Sequence, residues 1–149
     1  MVPASYYMPP ERAQCIAAAA EYYHRPTDRL TVEGLEMLVT AVVRTEGGTT
    51  GQIHQNKPDK NGRATYDIGL MQINSSNLAR LAKMGITENM ILNYECANIY
   101  VGTFILQEGI ASTPDLWQGI GRYNSATPYY NARYQALVWK QLNNLWAVR

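Results

Sequence analysis

The sequence predicts a mainly α-helical chain folded as one domain, with a small β-hairpin. Three observations carry that expectation. Apolar residues recur at helical spacing around Pro10–Tyr23, Thr31–Glu46, Cys96–Gln107 and Asn131–Leu145. Between them, Gly47 to Ala64 is polar and broken by Gly51, Pro58, Asp59 and the pair Asn61-Gly62, which suits a long loop or a small hairpin. The chain has 149 residues and no repeats, low-complexity tracts or linkers, so a single domain spanning 1–149 accommodates it.

Each element has a local reason. Pro9-Pro10 open the first helix, Glu11 lies in its first turn, and Ile16, Ala19, Ala20 and Tyr23 share one face until Pro26 ends it. Thr31 reads as the cap of the second helix. Its Leu35, Leu38, Val39, Val42 and Val43 form a core stripe, and Gly47-Gly48 stop it just after Glu46. Ser75-Ser76 are placed to cap a helix from about Asn77 to Met84, and Thr87 to Leu92 a short turn of helix. Pro114 helps open a segment from Leu116 to Arg122, and Tyr123 to Pro128 reads as a loop. In the closing helix, Tyr134, Leu137, Val138, Leu142 and Leu145 fall on one side.

Composition narrows the function. A formal net charge of +1 supplies no field for nucleic acid. No run of about twenty apolar residues exists, so no membrane span is expected. The opening Met-Val-Pro-Ala-Ser-Tyr-Tyr has neither a basic patch nor an apolar core and does not read as a signal peptide. Cys15 and Cys96 are too few and too far apart for a metal site. They are either two buried thiols or one disulfide. Eleven tyrosines offer flat faces with hydroxyls, suited to sugar rings as well as to packing.

No phosphate loop, metal cluster or serine–histidine signature occurs, and no cofactor is expected. His24 and His54 lie in polar surroundings and read as surface residues, which leaves carboxylates for acid–base work. Glu46 follows an apolar helix and precedes two glycines. Position alone leaves it open between a solvated helix-end residue and a desolvated acid whose pKa is raised. Asp67 is a second candidate, or else a turn-former bonding its own backbone.

Gly69-Leu-Met-Gln-Ile-Asn74, preceded by Tyr66-Asp67, resembles the G-L-M-Q-I segment of family 1 lytic transglycosylases and the G-I-L-Q-I-N-S segment of C-type lysozymes. Val39 to Gly47 is similar to the transglycosylase helix that ends in the catalytic glutamate, and Tyr123-Asn-Ser-Ala resembles that family's Y-N motif. Cys15 with Cys96-Ala-Asn-Ile-Tyr-Val-Gly102 resembles the paired-cysteine pattern of its specialised branch, which serves secretion, conjugation and pilus systems. The motifs run in the family's order from Cys15 to Leu142.

The resemblance implies a lysozyme-like fold and cleavage of the β-1,4 bond between N-acetylmuramic acid and N-acetylglucosamine in peptidoglycan. It casts Glu46 as the catalytic acid and Tyr123 as a tyrosine bonding the glutamate or the sugar. It places Gly69, Met71, Gln72, Ile73 and Asn74 along the glycan groove with Asn124 nearby, and joins Cys15 to Cys96. It also implies an exported, periplasmic monomer, with peptidoglycan strands and components of a secretion, conjugation or pilus machine as partners. Two departures stand out. The family's E-S is Glu46-Gly47 here, and Asp67 falls where C-type lysozymes carry their second catalytic carboxylate. Three readings follow: a lytic transglycosylase making 1,6-anhydromuramoyl ends, a hydrolytic muramidase using Glu46 and Asp67, or a non-catalytic peptidoglycan-binding or scaffold protein.

Overall fold

The structure, a computed structural model, describes residues 10–147. The opening stretch judged for a signal peptide and Pro9 lie outside the described residues. Seven α-helices and one three-stranded antiparallel sheet occur among the described residues, in the mainly α, lysozyme-like arrangement. They run α1 (Pro10–Tyr23), α2 (Val32–Glu46), β1 (Ile53–Gln55), β2 (Tyr66–Ile68), β3 (Ile73–Asn74), α3 (Leu78–Ala82), α4 (Glu88–Asn93), α5 (Glu95–Ala111), α6 (Leu116–Gly121) and α7 (Pro128–Ala147).

The apolar stripe of α2 does what its spacing demands. Thr31 accepts the Gly34 N–H on its side-chain oxygen at 3.0 Å, and Leu35, Leu38, Val39, Val42 and Val43 are buried against α1 and α7. Burying side chains of this kind stabilises by about 1.5–3 kcal/mol each. α5 has no polar side at its centre. Ile99, Leu106 and Ile110 enter the larger core with α1 and α2, while Val101 enters a smaller core with Ile68, Ile73, Leu81 and Ile91. The central helix therefore joins the helical body to the sheet.

Cys15 and Cys96 form a disulfide, with Cα atoms 5.3 Å apart. It fastens α1 to the start of α5, and closing so long a loop stabilises by about 4–5 kcal/mol in the chain-entropy model. Arg12 grips Glu95 beside it through Nε (2.9 Å) and Nη2 (2.6 Å), and this hydrogen-bonded pair lowers the Glu95 pKa.

Some expectations needed adjustment. The sheet has a third strand, because Ile73–Asn74 pairs back on β2. Asn74, not Ser75 or Ser76, makes the cap there: its side chain accepts the Ser76 N–H and starts a short 3-10 turn over Ser75–Asn77 that leads into α3. Asp115, directly after Pro114, caps α6 by accepting the Gln118 N–H. α7 begins at Pro128, three residues earlier than expected, since proline at a first helical position loses no hydrogen bond. Leu137 is exposed rather than core. His24 is half-buried, with Nε2 2.7 Å from the Leu30 carbonyl oxygen, whereas His54 is exposed.

Candidate active site

Glu46 is the last residue of α2. Gly47 ends the helix in the left-handed region, at φ 63°, and its N–H returns to the Val43 carbonyl at 3.1 Å. Side chains with a Cβ are strained there. At Gly48 the chain presses on the sheet turn, where a Cβ would stand 2.1 Å from the Gly69 carbonyl oxygen and 2.6 Å from that of Leu70. Only a bare backbone fits.

The helical wall shapes the chemistry of Glu46. Tyr134 of α7 donates its hydroxyl to Glu46 Oε2, and the Tyr123 ring stacks on Tyr134 with centroids 6.2 Å apart. Burial pushes the Glu46 carboxyl up to about 7, against the Tyr134 hydrogen bond, which lowers it; the charge of Asp67 raises it further. Of the two alternatives open from sequence, the burial of Glu46 and its tyrosine contact favour the desolvated acid. Burial and the nearby Glu46 raise the pKa of both tyrosines, so both stay protonated hydroxyls.

The sheet wall carries Asp67. In β2 it pairs with His54 on one side and Asn74 on the other, and Asn74 donates its side-chain amide to Asp67 Oδ1 at 2.9 Å. Asp67 is therefore not the self-capping turn residue that its sequence context also allowed. The alternation of a strand turns Ile68 into the core and Asp67 to the opposite face.

Between the walls lies a cleft of about 700 Å³. Glu46, Asp67, Gln72, Ile73, Asn74, Tyr123 and Asn124 all line it. Gly69 and Met71, also assigned to the groove, stand behind it. Met71 is fully buried against Gly102, and no Cβ fits at Gly69 because Asn98 lies behind it. Their place is structural: the Gly69–Gln72 turn aims Gln72 with a left-handed backbone, φ 52°, held by Gln72 Nε2 donating to the Gly69 carbonyl at 2.9 Å. Such a φ on a non-glycine residue persists only where its surroundings enforce it. Tyr123 does not bond Glu46. Its hydroxyl donates to the Met71 carbonyl at 2.7 Å, and Tyr134 makes the bond to the glutamate.

Sequence reasoning missed Tyr134 in this role. It falls on the core stripe of α7, and a buried tyrosine does need a partner for its hydroxyl. It also missed Asn98. That buried amide donates to the Ile68 and Ile91 carbonyls and accepts the Met71 N–H, pinning the turn from behind. A polar residue among the apolar positions of α5 was the available signal. Among the described residues no cluster of side chains could hold a metal ion.

Residues 27–136 match the family model of the transglycosylase SLT domain. The chain is 35% identical to "Invasion protein IagB" of Salmonella typhimurium over 89 residues, 57% of this chain and 56% of that protein. It is 28% identical to "Protein IpgF" of Shigella flexneri over 116 residues, 78% of this chain and 68% of the relative. A "Peptidoglycan-binding-like protein" of Escherichia coli O157:H7 is 33% identical over 102 residues, 62% of this chain and 61% of its own length. The chain thus spans little more than half the length of the invasion protein.

Proposed function

Since this chain belongs to the transglycosylase SLT domain family, we propose that it is a peptidoglycan lytic transglycosylase with Glu46 as its acid and base. The observation that carries this reading is a half-buried carboxyl with a pKa of about 7 at the wall of an open polar cleft. A group that titrates near working pH can give a proton and take one back.

The steps follow from that property. Protonated Glu46 donates to the oxygen joining muramic acid C1 to the next sugar. The C1–O bond breaks, its electron pair leaves with that oxygen, and the ring gains oxocarbenium character. The substrate's own N-acetyl oxygen attacks C1. Glu46, now a carboxylate, takes the proton from the C6 hydroxyl, whose oxygen displaces the acetamido group from C1. A 1,6-anhydro ring closes, the acid is restored and no water is consumed. The charge of Asp67 stabilises the positive ring electrostatically. Gln72 and Asn124 offer amides to sugar hydroxyls and acetamido groups, while the Asn74 amide holds Asp67 in place.

The Salmonella relative is named an invasion protein, which supports a role in invasion. We further propose that this chain works in the periplasm as a single domain and a monomer, opening the wall locally for a secretion, conjugation or pilus machine. A second reading draws on one observation: Asp67 lines the same cleft as Glu46. As a nucleophile it would make the chain a hydrolytic muramidase, with water completing the reaction. Mass spectrometry of the products from purified sacculi separates the two. Anhydro ends, one water lighter than reducing ends, are expected; reducing ends would replace the first reading by the second. Intact sacculi that are bound but never cut would leave a wall-binding protein.

A further inference from the structure

A second, smaller hollow of about 260 Å³ lies beside the cleft, lined by Asn124, Tyr130, Arg133, Tyr134 and Leu137. It touches the catalytic region twice. Asn124 lines both hollows, and Tyr134 is the residue whose hydroxyl holds Glu46. An occupant of this hollow thus sits across one tyrosine ring from the acid.

An unbranched glycan threading the cleft does not enter a hollow to its side; a branch does. On the proposed substrate, the branch is the lactyl group of muramic acid with its peptide stem, which carries free carboxylates. The lining matches that chemistry. No carboxylate lines the hollow, and Arg133 stands in it exposed to solvent. Arg122 lines the neighbouring part of the cleft, also next to Asn124. Among the described residues neither guanidinium has a hydrogen-bonding or ion-pair partner. Arg80, in the same cleft, differs: Glu108 and Asn77 occupy its donors. Tyr130, 52% exposed, and Leu137, 45% exposed, give the stem an apolar surface. A planar fork of donors suits a carboxylate better than a sugar hydroxyl.

We propose that Arg133, with Tyr130 and Leu137 beside it and Arg122 across Asn124, forms a subsite for the carboxylate-bearing peptide stem of the muramic acid whose bond Glu46 cleaves. It rests on the proposed activity for its substrate, and it makes the enzyme selective for peptide-bearing over bare strands.

The test uses the Glu46→Gln protein, in which turnover is expected to be too slow to consume the ligands during a titration. Two ligands are compared by titration: the N-acetylglucosamine–N-acetylmuramic acid disaccharide with its stem peptide, and the same disaccharide without it. The peptide-bearing ligand is expected to bind about tenfold more tightly, as one charge-assisted contact allows. Arg133→Gln should remove most of that preference, and Arg122→Gln part of it, with the loss confined to the peptide-bearing ligand. Equal affinity for the two ligands overturns the subsite, as does an Arg133→Gln loss shared equally by both. Turnover by the wild-type protein is measured in parallel. If sacculi are not cleaved yet peptide-dependent binding persists, the proposed activity fails while the subsite stands.

Discussion

On the helical wall of the cleft, Glu46 ends an apolar helix and meets a buried tyrosine; on the sheet wall, Asp67 stands on a short strand and accepts an amide from Asn74. The first environment withdraws water from a carboxyl and holds its pKa near 7. The second supplies a donor to a carboxylate and leaves it part-exposed. Two acids of nearly the same chemistry thus stand in different supports, and in the proposed reaction the helix end suits a proton carrier and the strand an electrostatic partner.

Removing the proton carrier is the sharpest way to break this contrast. Glu46→Gln keeps the shape of the side chain and should lower turnover about 10²–10⁴-fold, the range for losing a general acid. Binding to sacculi should survive in a pelleting assay. Full activity would refute the assignment.

The same substitution should raise stability at alkaline pH. Below pH 4.5, Glu46 holds its proton in both the folded and the unfolded chain and costs nothing. Between 4.5 and about 7 the unfolded chain releases the proton while the folded one keeps it, so stability falls as pH rises through that window. Above it the full penalty, roughly 3 kcal/mol, remains. Glu46→Gln should therefore out-stabilise the wild type by that order in urea melts at pH 8, and the two should converge at pH 4. Equal stability at both would place Glu46 in water.

Asp67→Asn sharpens the comparison from the other wall. Removal of one electrostatic stabiliser should slow turnover about 10–100-fold, with products still carrying anhydro ends. A loss as deep as that of Glu46→Gln, together with reducing ends, would make Asp67 the nucleophile. The smallest effect is expected at Tyr134→Phe. Its hydrogen bond lowers the Glu46 pKa, so losing it should move the alkaline limb of the kcat/KM profile to higher pH. A limb displaced to lower pH would contradict that role.

The helical body was readable because each helix repeats its apolar residues every three or four positions, as α2 does from Leu35 to Val43. Glu46 was readable as a candidate because that stripe runs up to it and two glycines follow. The rest depended on contacts between segments distant in sequence. Tyr134 lies 88 residues from Glu46, and nothing local in α7 distinguishes its hydroxyl from that of any buried tyrosine. β3 is two residues long, too short for alternation to register. That Tyr134 and not Tyr123 reaches Glu46 depends on how α6 and α7 pack, which motif spacing does not encode.

The contact at Gly48 has a mechanical consequence. Main chain touches main chain there, between the exit of α2 and the turn that aims Gln72. A side chain in such a place could rotate aside under load; a peptide unit has no such freedom. The gap between Glu46 and Asp67 is thus gauged by the backbone itself, with tight tolerance. A single added methyl at position 48 would act as a shim, spreading the jaws of the cleft without altering any group that reacts.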